Sequence, residues 1–395
     1  MNTQWLQQKR RLAKRVDDIA PFHVMQLLAR ARQMEAAGES VVHMEIGEPD
    51  FATPQPVIDA ATAFIRKGQV HYTPACGLPA LREQIAQWCE QRYGVNVSPQ
   101  RIIITAGASG ALQLVLGLLV NPGDEVLLPD PGYPCNRHFV RVFEGVANSI
   151  AVTPDNNYQP TLQQLAQHCN ERVRALLLAS PANPTGTMLS GDALQQMQQF
   201  CADRGVAMIV DEIYHGLTHE FDAPTALQYS DDVFVINSFS KYFSMTGWRL
   251  GWVVAPADCV ADMEKLAGNL FICPPAPAQH AALAAFQPQT IAILEQRRHE
   301  FRRRRDFLLP QLTRLGFDVR VRPQGAFYIY ADSSALAADS FAFSRDLLQE
   351  AAVAITPGLD FGANAAENHV RFACTVSEEM LAEGVARIER FIERG

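Results

Sequence analysis

NSFSKYFSMTGWRLGW, residues 237–252, follows the apolar run Val233-Phe234-Val235-Ile236. A short apolar run bounded by polar residues reads as a buried strand. Lys241 stands just past it, flanked by Ser238, Ser240 and Ser244, and Arg249 follows eight residues later between Trp248 and a second apolar run, 250–254. A lysine among serines at a strand end, with an arginine nearby, suits a covalent amine nucleophile beside an anion clamp. A lone lysine after a strand is ordinarily a solvated surface residue. The functional reading therefore depends on what the rest of the chain brings to the same place.

Composition narrows the field. At 395 residues the chain can hold two or three domains and bury a large core. Apolar residues at 48% and charged residues at 19% are those of an ordinary globular protein. The net charge of -8 argues against a general nucleic-acid surface, which needs a basic footprint. Eight cysteines are scattered with no CxxC pair, which points to reduced, buried thiols and a cytoplasmic setting. The start, MNTQWLQQKRRLAKR, is basic but is followed by no apolar core of a secretory signal. No apolar run approaches the roughly 18 residues of a membrane helix.

Along the chain, residues 5–36 read as helical with a break at Pro21, and residues 41–46 as a short strand leading into the turn GEPDFATP, 47–54. A helix over 55–67 precedes HYTPACGLPALREQIA, 71–86, with Tyr72 near its start. From residue 101 strands and helices alternate. Strands are expected at 101–105, within 122–134, and at 146–152, 173–178, 206–210 and 233–236, with helices at 106–119, 161–169 and 190–205 between them. Such alternation implies a mostly parallel sheet covered on both faces, with ligands at the carboxyl ends of its strands. That rule gathers 107–110, 131–133, 183–186, 211–214 and 238–241 on one edge. Beyond residue 255 the pattern gives a helix to about 269, an irregular connection over 272–279 and a helical stretch over 279–312 broken at Pro288. Strands at 315–321, 325–331 and 370–374 then suggest a smaller α+β domain.

The gathered residues have matching chemistry. TAGASGAL, 105–112, places small residues where backbone N–H groups at a helix N-terminus could bind phosphate; small residues there also simply let a helix pack close. Asp211 ends a buried strand, so its carboxylate needs a partner: a protonated ring nitrogen would serve, as would a helix N-terminus or a salt bridge. Tyr214 and Asn183 could hydrogen-bond a phenolate oxygen, Lys241 could form an imine and Arg249 could grip a phosphate. Together these describe a site for pyridoxal phosphate. His215 and His219 have HxxxH spacing without a third ligand, which favours a surface or pocket-rim pair over zinc. Cys76 and Cys273 are read as packing residues.

IAPF (19–22), GEPDF, YTPACGLPALR, PGDEVLLPDPGYP, NPTG, DEIY, SFSKYFSMTGWRLGW and VRF (370–372) occur in that order over nearly the whole chain. With them the sequence resembles the class I/II pyridoxal-phosphate-dependent aminotransferases of fold type I, the group of aspartate and related amino-acid aminotransferases. The resemblance implies an α/β fold whose large domain has a mostly parallel seven-stranded sheet between helices, plus a smaller α+β domain. Residues 1–45 would be an N-terminal arm and helix associated with the small domain, 46–285 the large cofactor-binding domain and 286–395 the small C-terminal domain.

Roles follow position by position. Lys241 would hold the internal aldimine and move the proton between Cα and C4′, and Asp211 would keep the pyridine nitrogen protonated. Asn183 and Tyr214 would hydrogen-bond the ring oxygen, and Tyr133 would stack on the ring. Ser238, Arg249 and the amides of Ala108 and Ser109 would hold the phosphate. Tyr72 would reach the phosphate of the partner subunit, making a homodimer with its site at the subunit interface the functional unit. Arg371, helped by Asn183 and the backbone of Gly47, would clamp the substrate α-carboxylate.

The activity implied is ping-pong transfer of an amino group from an L-amino acid to a 2-oxo acid, by family habit 2-oxoglutarate or pyruvate. A carbon–sulfur β-lyase of the same fold is the alternative. A regulator with an aminotransferase-like domain would carry a DNA-binding domain for which the N-terminal arm leaves no room. Some relatives have a lysine in the phosphate turn that attracts a second carboxylate; Ser109 stands there, which weakens a dicarboxylate-only reading without excluding one, because an arginine from elsewhere could supply the charge. No metal, nucleic-acid or membrane partner is expected.

Overall fold

The computed structural model describes residues 12–394, so part of the helical reading of residues 5–36 lies outside the described residues. Within them the N-terminal elements are Arg15–Asp18 (α1), His23–Ala36 (α2) and the two-residue strand Val42–His43 (β1). Pro21 falls in the gap between α1 and α2, where its missing N–H interrupts nothing. Gln55–Arg66 (α3) and Pro79–Tyr93 (α4) follow, and then the alternating series begins.

That series runs Ile102–Thr105 (β2), Gly107–Leu119 (α5), Glu125–Asp130 (β3), Pro134–Val142 (α6), Val146–Ala151 (β4), Leu162–His168 (α7) and Val173–Ala179 (β5). It continues with Gly191–Ala202 (α8), Ala207–Asp211 (β6), Phe234–Ser238 (β7) and Gly251–Val254 (β8). Together these strands make one seven-stranded sheet of order β2-β8-β7-β6-β5-β3-β4. Pairing is parallel throughout except at β8, which runs antiparallel to both β2 and β7.

The two faces of this sheet separate by residue parity, as the pleat requires. Ala175 and Leu177 of β5 join Ile209, Ile236, Val253 and the apolar side of α5 in one buried cluster. Leu176 and Leu178 join Met208, Val210, Val235 and Trp252 in the cluster on the other face. Both faces are covered, so the strands read as continuous apolar runs. Each fully buried Leu or Ile stabilises the fold by about 1.5–3 kcal/mol.

The C-terminal elements are Val260–Leu270 (α9), Ala276–Ala282 (α10), Pro288–Arg314 (α11), Tyr328–Asp332 (β9), Ser340–Ala351 (α12), Val353–Ala354 (β10), Thr356–Pro357 (β11), His369–Ala373 (β12) and Glu378–Ile392 (α13). β11, β12 and β9 form an antiparallel three-stranded sheet, while β1 pairs in parallel with β10. α2 buries Leu27, Ala31 and Met34 against Leu348 of α12 and Ala354 of β10.

Four readings need correction. Pro288 begins α11 rather than breaking a helix, because the first helical position needs no N–H. Residues 276–282, read as irregular over most of their length, are helical for the same reason, with Pro275 at the N-cap and a second proline in the first turn. Residues 315–321 are not a strand: they make a single bridge, Asp318 to Asp332. The chain then leaves the sheet because Gln324 and Gly325 N–H donate to the Gly186 carbonyl, at 2.8 and 2.9 Å. The expected strand at 41–46 is reduced to β1, since the partner it pairs with has two residues.

Candidate active site

The carboxyl ends of β6 and β7, the start of α5 and the inner face of β12 surround a cavity of about 300 Å³. Lys241, Asp211, Tyr214, Asn183, Tyr133, Ser238, Arg249, Ala108, Ser109, Gly47 and Arg371 all line it. Tyr72 does not; it is 82% exposed.

One side of the cavity carries donor groups of the kind that suit an anion. Ala106, at the N-cap of α5, has no side-chain cap, so the first-turn N–H groups, those of Ala108 and Ser109 among them, are not taken by a capping side chain. Gly107 has φ +74°, and a Cβ there would sit 2.6 Å from Arg249 Nη2. A Cβ on Gly251 of β8 would sit 2.7 Å from the Ala108 nitrogen. These two glycines let the guanidinium and the strand close on the helix terminus. Arg249 itself has φ +53° and donates from Nη1 to the Thr246 carbonyl at 3.0 Å. Ser238 Oγ donates to Ser240 Oγ at 2.9 Å. The start of α5, the hydroxyls of Ser238 and Ser240 and the Arg249 guanidinium thus line one cavity, a set of donors that suits an anion.

The middle of the cavity holds two buried ionisable groups. Asp211 is 4% exposed, and the Ile213 N–H at 3.1 Å is its one hydrogen-bond donor among the described residues. Burial pushes its carboxyl up to about 7. Lys241 Nζ donates to the Gly47 carbonyl at 2.5 Å, and burial, with Arg371 nearby, lowers it to about 8. Each group loses hydration, and among the described residues neither is joined in a salt bridge. Pyridoxal phosphate fits this donor set: a cationic ring nitrogen for Asp211, an aldehyde for the amine of Lys241 and a phosphate for the start of α5.

Around that position, the Tyr214 hydroxyl lies 2.9 Å from the Tyr328 hydroxyl. Tyr133 accepts a hydrogen bond from Cys135 Sγ at 3.2 Å. The remaining end is cationic. Arg371, on β12 and 5% exposed, donates from Nη1 to Asn183 Oδ1 at 2.8 Å and from Nη2 to the Glu45 carbonyl at 2.6 Å and Thr356 Oγ1 at 3.2 Å. Its guanidinium lies 4.1 Å from the Tyr328 ring centre and 4.9 Å from that of Phe361, and Nε has no partner among the described residues. The backbone atom on Arg371 belongs to Glu45; the Gly47 carbonyl serves Lys241 instead. Gly47 has no room for a side chain, because a Cβ would overlap the Tyr328 hydroxyl.

His215 and His219 are core residues, not a surface or rim pair. Both are buried and pushed down to about 3 by burial, and His215 Nδ1 sits 3.2 Å from the Tyr93 hydroxyl. No metal-holding cluster occurs among the described residues. Cys76 is buried and Cys273 half-buried, both as free thiols. Sequence reasoning did not single out Tyr328, Glu45, Thr356, Asp360 or Phe361, all of which line the cavity. The Pro357-Gly358 turn was the available signal for the last three, since rigid turns between strands often carry function.

Residues 39–388 match the family Aminotransferase class I and II. The chain belongs to that family. This aminotransferase is 37% identical to the valine–pyruvate aminotransferase of Mycobacterium tuberculosis, over 94% of this chain and 96% of that protein. It is 35% identical to the aspartate aminotransferase of Geobacillus stearothermophilus, over 97% and 99% of the two chains. Among solved structures, an aminotransferase from Mycobacterium tuberculosis superposes with a TM-score of 0.94 at 36% identity, covering 98% of this chain and 100% of that one. The aspartate aminotransferase of Thermus thermophilus with maleate gives 0.91 at 33% identity, covering 97% and 100%. The fold is fold type I, and the enzyme is a pyridoxal-phosphate-dependent aminotransferase. The β-lyase alternative is not favoured, since these relatives are named for transamination.

Proposed function

We propose that the aminotransferase binds the α-carboxylate of its amino-acid substrate on Arg371 and works on the substrate Cα with Lys241. The observation that carries this is the state of Arg371: a buried guanidinium held by an amide, a carbonyl and a hydroxyl, with Nε unpartnered among the described residues. A carboxylate facing this guanidinium would accept from the N–H groups that these contacts leave over and neutralise the charge.

Pyridoxal phosphate, when bound, supplies the electron sink and carries the nitrogen. Asp211 would hold a positive charge at the ring nitrogen, which returns its own carboxyl to the ionised state. Tyr214 and Asn183 would hydrogen-bond the ring oxygen, and Tyr133 would cover one face of the ring. Ser238, Arg249 and the N–H groups of Ala108 and Ser109 would hold the phosphate. Lys241 is lowered to about 8, so its amine is available near neutral pH to take and return the Cα proton.

A homodimer is part of this reading. Tyr72 is exposed, as are the apolar side chains of Val70, Leu270, Phe271 and Ile272, which a partner subunit would cover. In the dimer Tyr72 would reach the partner subunit's phosphate site. The division at about residue 285, with residues 1–45 joined to the C-terminal unit, is supported by the β1–β10 pairing and the packing of α2 on α12. A cytoplasmic location is supported by eight unpaired cysteines. In the deciding experiment, holoenzyme is mixed with single amino acids while the bound cofactor's absorbance and the oxo acid formed are followed. One oxo acid per site is expected, and no conversion with any amino acid would contradict the proposal.

A further inference from the structure

Asp360 lies in the turn between β11 and β12 and is 3% exposed. Each of its carboxylate oxygens accepts a backbone N–H from the start of α2: His23 to Oδ1 and Val24 to Oδ2, both at 2.8 Å. α2 has no cap of its own, because Phe22 stands at its N-cap and its first turn has no acidic residue. First-turn N–H groups of a helix are orphaned unless something outside accepts from them, and an anion there also meets the helix dipole favourably. Asp360 supplies both from a distant part of the sequence.

The position of that helix start matters for substrate. Phe22, Val24, Met25 and Leu28 line the same cavity as Lys241 and Arg371. The far end of α2 is also tied down: Glu35 Oε1 lies 3.1 Å from His43 Nε2, and His43 Nδ1 lies 2.7 Å from Glu45 Oε1. Glu45 in turn gives its carbonyl to Arg371. α2 is therefore held at both ends against the strands that carry the carboxylate clamp.

This chain's own charges leave no second anion site in the cavity. Its cations among the described residues are Lys241, Arg249 and Arg371, each occupied in the proposed function. Its acids are Asp211, Glu45 and Asp360. A distal carboxylate would lose its water, find no free cation among the described residues of this chain and meet apolar side chains backed by Asp360.

We infer that Asp360 is a positioning residue that holds the start of α2 as an apolar wall over the substrate side chain, and that the preferred amino acid carries an apolar side chain rather than a second carboxylate. This rests on the proposed function.

The test uses holoenzyme and single-turnover conversion of alanine, leucine, aspartate and glutamate. Wild type should convert leucine at least about tenfold more efficiently than either dicarboxylate. Asp360→Ala should raise the half-saturating concentration for leucine about tenfold while alanine, too short to reach the wall, changes little. Asp360→Asn, which keeps one acceptor oxygen, should fall between. Met25→Lys adds a cation to the wall with Asp360 intact, and should improve glutamate relative to leucine. A purely structural role for Asp360 would lower both alanine and leucine equally, and that result would overturn the inference. So would a wild type that prefers dicarboxylates, while leaving the aminotransferase reading intact. Conversion of no amino acid would overturn both.

Discussion

Arg371 Nη1 lies 2.8 Å from Asn183 Oδ1, joining the three-stranded C-terminal sheet to the NPTG turn that follows β5 of the seven-stranded sheet. The two residues are 188 positions apart. The bond orients one arm of the guanidinium, while Nε has no partner among the described residues. A substrate carboxylate would thus meet a guanidinium whose orientation is already set.

Replacing Arg371 should separate substrate binding from cofactor binding. Arg371→Lys keeps the charge but not the planar fork, and should lower kcat/KM by about a hundredfold. Arg371→Ala should lower it further. Cofactor affinity, measured by fluorescence titration, should stay within about threefold, because no phosphate-end group is touched.

Gly107→Ala tests the phosphate end. The substitution forces an alanine into φ +74° and pushes on the Arg249 guanidinium. A cost of about 1–2 kcal/mol is expected, seen as roughly tenfold weaker cofactor binding. An unchanged dissociation constant would mean that Arg249 moves freely and is not part of the cradle.

Asp211 makes a prediction about the cofactor-free protein. Its carboxyl is held at about 7, above the ordinary value of 3.8, by burial. The folded state therefore keeps a proton that the unfolded state releases, and stability falls as pH rises from about 4 to about 7. Asp211→Asn removes that loss. The cofactor-free variant should melt higher than wild type at pH 8, the gap should close near pH 4, and activity should fall by at least about a hundredfold.

His43 works in the opposite sense. Hydrogen bonding to Glu45 is the largest influence on it, and with Glu35 also contributing its pKa is raised to about 9. The stability it contributes is full below pH 6.5, declines above that and is lost once pH passes about 9. Urea midpoints of wild type should fall over that window, and those of His43→Gln should fall less.

Much of the site was legible because its residues sit where apolar strands end. Asp211, Ser238 and Lys241 each stand at or just past the end of such a run, and parallel sheets bring these ends together. Contacts between distant segments were not legible. Nothing local to Asp360 indicates that it caps a helix more than three hundred residues earlier. Nothing in GWVV says that β8 runs antiparallel between β2 and β7. Residues 315–321 alternate like a strand, yet the anchoring of 324–325 on Gly186 draws the chain away. Tyr328 lies in an aromatic strand whose pattern does not distinguish the ring that meets Tyr214 and Arg371 from those that fill the core.

The chain has five lysines, and among the described residues Lys241 is the one that lines the cavity. The central claim is that this amine is the group joined to the cofactor and acting on substrate. Its most direct test is borohydride reduction of the holoenzyme followed by peptide mass mapping. The reduced cofactor is expected on the Lys241 peptide alone, with Lys241→Ala unlabelled and without turnover; label on another lysine, or turnover in Lys241→Ala, would contradict the account.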